Sequence, residues 1–289
     1  MRYEGRVFRP PSEARSLIVQ VTIGCAHNEC VFCSMYKEKK FRPRKTDEII
    51  EDLHQARDMY PHVRRIFLAD GNALALSMER LLPILTSIKE LFPECERIGV
   101  YGAPMDILRK TVEELEQLKT LGIGIIYLGL ESGSDEILSL MKKGVTSAQM
   151  IESAEKVKEA CIPLSVTVIS GLGGKALTQE HAKETGRVLS QMNPNFIGVL
   201  TLMTGEMAEI DDMIENGDFM LLSTKEVFKE LYQIVDGTNV DACMFRSNHA
   251  SNYFSLSGDL PRDKERLLSE IKSALNDQVL LKAEGLRGL

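Results

Sequence analysis

The chain has 289 residues, 44% of them apolar and 27% charged, an ordinary balance for a globular protein with a sizeable core. A formal charge of −7 leaves no broad basic footprint for nucleic acid. The longest apolar run, residues 121–130, is about half of the roughly 20 residues that cross a bilayer, and the arginine-bearing N-terminus leads into no apolar stretch. Neither a membrane span nor a secretory signal is expected, and the expected location is the cytoplasm.

After Pro10-Pro11, which favours extended backbone, residues 16–23 read as a buried strand. Three of the six cysteines follow at once, Cys25, Cys30 and Cys33, at the spacing C-x4-C-x2-C. A basic run, Lys37 to Lys45, comes next. Thr46 reads as the N-cap of a helix with Asp47 and Glu48 in its first turn and Ile49, Leu53 and Ala56 on its buried stripe. Residues 65–69 form a second strand, closed by Asp70-Gly71-Asn72. The next helix runs to about residue 91, and Pro83 either delays its start or kinks it.

Residues 97–101 read as a third strand. Thr111 and Glu114 make a capping box for a helix that Gly122 stops, and residues 123–130 form an almost wholly apolar fourth strand. That composition suits a parallel sheet covered on both faces. Thr146 and Gln149 cap a helix to about residue 160, and a fifth strand, 163–169, leads into the glycine-rich Ser170 to Lys175. A helix over 178–192, a sixth strand over 196–202 and a helix capped by Ser223 and Glu226 complete the rhythm. Six strand–helix units predict an α/β fold, a partial (β/α)6 TIM-like barrel over residues 1–235. Residues 236–289 are expected as a C-terminal loop-and-helix extension, with an amphipathic helix over about 262–281.

Polar and glycine residues gather after the strands, at Cys25, Asp70, Tyr101, Glu131, Ser170 and Thr204. Ligands bind at this end of parallel strands, so the cysteine loop is expected on the functional face. In a reducing compartment, clustered cysteines are metal ligands more often than disulfides. A structural zinc site wants a second cysteine pair, and Cys95, Cys161 and Cys243 stand alone. Cys95 and Cys161 sit at apolar positions and are expected as core thiols. Three thiolates without an obvious fourth point to an iron–sulfur cluster with one open iron. Plant-type ferredoxins share the local spacing, though not six strand–helix units behind it. Three classes remain open on the residues alone: a cluster enzyme, an iron–sulfur electron carrier and a non-catalytic metal-binding module.

Taken together and in order, these segments resemble the radical S-adenosylmethionine (SAM) enzymes. The likeness is to the branch of oxygen-independent coproporphyrinogen oxidases, elongator catalytic subunits and tRNA methylthiotransferases, over about residues 17–205. That family usually spaces its cysteines C-x3-C-x2-C with an aromatic residue before the third. Phe32 holds the aromatic place, and one extra residue precedes Cys30. The resemblance implies a [4Fe–4S] cluster on Cys25, Cys30 and Cys33, with SAM as cofactor and oxygen sensitivity. It implies that Asp70-Gly71-Asn72 receives the methionine amino group and that Gly129 to Gly133, with Glu131 and Ser132, meets the ribose. Lys143 is implied to face the methionine carboxylate, Ser170-Gly171 to lie near the adenine, and Tyr101 to end the third strand at the same site. The implied reaction cleaves SAM to a 5′-deoxyadenosyl radical that takes hydrogen from a substrate.

The chain shows no second cysteine cluster and no cobalamin-type domain, and its acidity argues against tRNA, so a small-molecule substrate is expected. Arg246, Asn248, His249 and Asn252 are candidates for holding it, Arg246 through a carboxylate or phosphate, with Tyr253 as a candidate proton or hydrogen donor. The alternative for that group is a loop whose side chains cap backbone. The basic run after the cysteines is either a solvated loop or a docking patch for an acidic flavodoxin- or ferredoxin-like electron donor.

Overall fold

The computed structural model describes residues 1–204 and 208–288; the end of the likeness at Gly205 and the last residue of the expected extension, Leu289, lie outside them. Among the described residues ten strands are formed: β1 Leu17–Gln20, β2 Thr22–Ile23, β3 Arg42–Pro43, β4 Arg65–Ala69, β5 Arg97–Tyr101, β6 Ile123–Glu131, β7 Leu164–Ser170, β8 Phe196–Thr201, β9 Cys243–Ser247 and β10 Leu256–Leu260. The helices are α1 Thr46–Met59, α2 Met78–Leu91, α3 Pro104–Leu108, α4 Val112–Thr120, α5 Asp135–Leu140, α6 Ser147–Glu159, α7 Gly174–Met192, α8 Glu209–Glu215, α9 Thr224–Gly237 and α10 Lys264–Leu275. Eight strands share one sheet in the order β1-β4-β5-β6-β7-β8-β9-β10, the α/β arrangement expected. Its described pairs are parallel except the last, β9 with β10.

Local chemistry explains the helix starts. Thr111 accepts the Glu114 N–H while Glu114 accepts the Thr111 N–H, and Ser223 with Glu226 does the same for α9. Thr146 and Gln149 exchange the equivalent bonds ahead of α6. Gly122, at φ +106°, follows α4 in a conformation that a side chain resists, which ends the helix where expected.

The chain divides into two compact units. The first comprises Met1–Asn28, Met35–Leu128 and Glu155–Leu164. Its core is built on Val19, Ile66, Phe67, Leu68 and Val100 of the strands, with Leu53 and Leu85 of α1 and α2, all without solvent exposure. A buried carboxylate, Glu13, ties the N-terminal segment to this sheet through Arg97 and the hydroxyls of Tyr127 and Ser16. The second unit comprises Glu29–Ser34, Gly129–Ala154 and Ser165 onward. One of its apolar clusters joins Val31, Ile137, Met141, Leu172, Leu202, Ile210 and Phe219.

Several expectations change in detail. The first strand breaks at Val21, and its second half, β2, leaves the main sheet to pair antiparallel with β3. Lys45, not Thr46, is the N-cap of α1. Pro83 lies inside α2, and α7 begins four residues earlier than read, at Gly174. The C-terminal segment read as loop contributes β9 and β10, and the final helix is shorter, Lys264–Leu275. Cys161 is exposed and Cys95 half-buried, so neither is a core thiol; both sit at chain reversals where strand or helix burial has ended.

Candidate metal and cofactor site

In the first unit, Asp70-Gly71-Asn72 follows β4 and grips the start of the cysteine loop. The Asp70 carboxylate is fully buried, and its Oδ2 accepts from the Gly24 N–H (3.1 Å), Gln20 Nε2 (3.1 Å) and Lys39 Nζ (2.8 Å). The Gly71 N–H donates to Gly24 O at 3.1 Å. A Cβ at Gly71 would stand 2.9 Å from Cys25 Cβ and 3.0 Å from Cys25 Cα, so only glycine lets the two segments approach this closely. Asn72 accepts the Ala26 N–H through Oδ1 (2.8 Å) and donates through Nδ2 to Asp106 (2.8 Å). Among the described residues, Asp70 Oδ1 and the buried Tyr36 hydroxyl make no hydrogen bond of ordinary geometry, although the two groups are neighbours. Burial, then the neighbouring Asp70 carboxylate, pushes the Tyr36 hydroxyl well above its usual pKa. Tyr101, at the end of β5, stacks edge-on against Phe67 with centroids 5.0 Å apart.

In the second unit, Cys30 and Cys33 sit on a turn closed by the Cys33 N–H to Cys30 O bond, 3.3 Å. Val31 between them is the anchor. Its side chain is buried, its N–H donates to Met141 O (3.1 Å), and its carbonyl accepts the Ile210 N–H (3.0 Å). Lys143 Nζ lies 3.0 Å from Glu131 Oε1 and 6.0 Å from the Phe32 ring centroid. Burial works against the Lys143 ammonium, yet the Glu131 carboxylate together with the Cys30 and Cys33 thiolates holds its pKa above the ordinary lysine value. Glu131 itself takes φ +63°. A Cβ on Gly129 would come within 1.9 Å of Glu131 Oε1, so glycine there leaves room for the Glu131–Lys143 pair against β6.

Ser132, Ser170 and Gly171 face inward rather than into open space. Ser132 Oγ lies 2.8 Å from His181 Nδ1, while the Ser170 hydroxyl (2.8 Å) and the Gly171 N–H (2.6 Å) both donate to Glu230 Oε1. His181 and Glu230 carry no sequence signal: each is one polar residue among several on an amphipathic helix, and only the fold brings α7 and α9 to the strand ends. The C-terminal candidates divide. Arg246 and Asn248 are exposed and His249 is half-buried, its Nδ1 2.9 Å from Ser251 Oγ. Asn252 is spent on β8, accepting from Thr201 Oγ1 and donating to Val199 O, each at 2.8 Å. Tyr253 donates to Glu284 (2.6 Å) beneath the Arg287 guanidinium, 4.2 Å from its ring.

Of the basic run, Lys39 is bound to Asp70, Arg44 to the buried Asp52 at 2.8 Å, and Arg42 to Glu4 at 2.5 Å. Half of its cations are therefore structural, while Lys37, Lys40 and Lys45 remain exposed.

Three thiols on one nine-residue loop are the soft donors that iron–sulfur clusters require. A half-buried cation that feels the charge of two of them favours an anionic group there. Among the described residues no three His, Cys, Asp or Glu side chains close on a single point; the fit rests on the donor chemistry, the anchored turn and Lys143. No helix among the described residues is long and apolar enough to cross a membrane.

A family model described as the radical SAM superfamily matches residues 19–189. The chain is 27% identical over 200 residues to the tRNA-2-methylthio-N(6)-dimethylallyladenosine synthase of Aquifex aeolicus, covering 65% of this chain and 44% of that one. It is 20% identical over 218 residues to the heme chaperone HemW of Bacillus subtilis, covering 73% and 56%. The chain thus spans about half the length of these relatives. Coproporphyrinogen III oxidase of Escherichia coli superposes with a TM-score of 0.58 at 18% identity, over 77% of this chain and 53% of that one. At that identity the likeness concerns the fold alone, and the fold is the α/β, TIM-like one expected.

Proposed function

Because the chain belongs to the radical SAM superfamily, whose cofactors are a [4Fe–4S] cluster and SAM, we propose that it cleaves SAM and directs the 5′-deoxyadenosyl radical to a hydrogen of a small-molecule substrate. Cys25, Cys30 and Cys33 hold the cluster, which supplies the electron for cleavage when reduced. Every other contribution comes from the protein. Lys143 meets the methionine carboxylate and is kept charged and in place by Glu131. The backbone at Asp70-Gly71-Asn72 takes the methionine amino group, and its grip on Gly24 and Ala26 fixes where the loop begins. Phe32 and Tyr101 wall the cofactor, Glu131 and Ser132 serve the ribose, and Ser170-Gly171 lies by the adenine. Residues 1–235 form the catalytic domain and 236–289 its extension, where Arg246, Asn248 and His249 are available to a substrate. Asn252 supports β8, and Tyr253 is the candidate donor. A flavodoxin- or ferredoxin-like protein in the cytoplasm supplies the electron.

The observation that carries this reading is the Lys143 ammonium, half-buried 3.0 Å from Glu131 and held charged by that carboxylate and by the Cys30 and Cys33 thiolates. An electron carrier has no use for a cation held beside its cluster thiolates, whereas a cofactor carboxylate needs one, and the part of Lys143 left exposed beyond Glu131 can meet it. The test is anaerobic: reconstitute with iron and sulfide, reduce, add SAM and measure 5′-deoxyadenosine. The nucleoside should form even without substrate, and the Cys30→Ala protein should make none. A zinc-loaded protein without iron–sulfur absorbance would sink the proposal. A cluster that binds no SAM would favour the electron carrier.

A further inference from the structure

Glu230 is 1% exposed, on α9, and all its acceptor capacity is directed at one place. Its Oε1 takes the Ser170 hydroxyl and the Gly171 N–H, and its Oε2 takes the Thr178 hydroxyl at 2.6 Å. His181, fully buried on α7 beside the Ile169 backbone, stands with Nε2 3.7 Å from the same Oε1, and among the described residues no hydrogen bond of ordinary geometry reaches that nitrogen. Two hydroxyls face His181 Nδ1, Ser132 Oγ at 2.8 Å and Thr185 Oγ1 at 3.4 Å, and when either donates to it the ring proton sits on Nε2, toward Glu230. Thr185, one turn along α7, accepts the Gly133 N–H at 3.0 Å. The helices that carry these groups pack closely: a Cβ on Gly186 would stand 3.0 Å from the Gly237 backbone.

We infer that Glu230, with His181, is a positioning group that sets the ends of β6 and β7 for the adenosyl part of SAM. The inference rests on the proposed reading, in which Ser132 and Ser170-Gly171 flank that part of the cofactor. A side chain needed only to fill the space between α7, α9 and the sheet would be apolar, since burying a carboxylate costs unless every oxygen is satisfied. Here a carboxyl group stands instead, and every described bond it makes ends on a strand end or on α7. One carboxylate aligns the turn after β7 directly. The turn after β6 is reached through His181 and Ser132.

The test is SAM binding by equilibrium dialysis on the reconstituted protein, together with amide exchange of the cofactor-free chain. Glu230→Ala should weaken SAM binding at least about tenfold, the scale of losing hydrogen bonds to a charged group, and should release the Gly171 amide to exchange. Glu230→Gln keeps an acceptor for Ser170 and Gly171 and turns its amide toward the Thr178 oxygen, so affinity and protection should return. Should Glu230→Ala not fold, His181→Phe decides. It severs the arm to Ser132, and with it the weaker contact to Thr185, and is expected to weaken SAM severalfold while the Gly171 amide stays protected. A wild-type protein that binds no SAM would overturn the proposed function, and the cofactor role with it. Wild-type binding matched by Glu230→Ala, or by His181→Phe where that variant decides, would overturn this inference alone.

Discussion

At Gly133 the neighbours of a missing side chain are backbone. A Cβ there would lie 2.3 Å from Glu184 O and 2.6 Å from Thr185 Cα, atoms that the whole of α7 holds in place. At Gly129, four residues earlier, the conflict is with the far end of Glu131, which can swing aside. Gly133→Ala should therefore cost about 3 kcal/mol, at the upper end of overpacking penalties, read as a lower urea midpoint at unchanged slope. Gly129→Ala should cost less stability and show itself instead in SAM affinity, because the displaced carboxylate no longer holds Lys143. Equal stability losses, or the reverse order, would contradict the assignment of rigid and yielding neighbours. Both glycines stand in a stretch legible as a motif from sequence. What was not legible is that they serve opposite sides of the strand end, one making room for a charge pair and the other for a helix.

Elements are joined by a few charged clamps, and these set how the fold responds to pH. Arg57, in the last turn of α1, donates to Leu91 O at the end of α2 (3.0 Å) and to Glu94 (2.8 Å), which also accepts the Val63 N–H ahead of β4 (2.8 Å). The Val63 N–H above all, with Arg57 beside it, holds the Glu94 carboxyl down at about 2. A carboxylate whose folded pKa is depressed contributes stability above its unfolded value, about 4.5, and loses it as pH falls from there toward 2. Glu94→Gln should flatten the acid limb of Tm against pH within that window and leave the slope above pH 5 unchanged; an unaltered acid limb would refute the clamp. At this scale the sequence was readable wherever information is local. Capping boxes, the Gly122 stop and the buried runs of β4, β5 and β6 depend on neighbours a few residues apart. β9 and β10 escaped because Arg246, Ser257 and Asp259 place polar side chains on exposed positions of the sheet's end. The His181–Glu230 pair escaped because its partners lie some fifty residues apart, and helical periodicity marks a buried polar residue only as an irregularity.

Across the whole molecule the charge is −7, which repels an acidic electron donor at long range. The acidic donor proposed above would then need a local reversal of sign, and the loop after the cysteines carries exposed cations. Lys39, Arg42 and Arg44 are committed to Asp70, Glu4 and Asp52, so their charge is largely neutralised. Lys40 is exposed, and Lys45, with 83% of its side chain in solvent, is 3.5 Å from Glu48. Such exposed charges act on encounter rates more than on stability, and within a Debye length of about 8 Å at physiological salt. Reversing both, Lys40→Glu with Lys45→Glu, should slow reduction by a flavodoxin about tenfold at low ionic strength. The difference should shrink as salt is added, and SAM cleavage driven by dithionite, a small reductant that needs no docking surface, should be unaffected. A flavodoxin rate indifferent to both charges at every ionic strength would place the donor's surface elsewhere and leave the basic run as a scaffold for the cysteine loop alone.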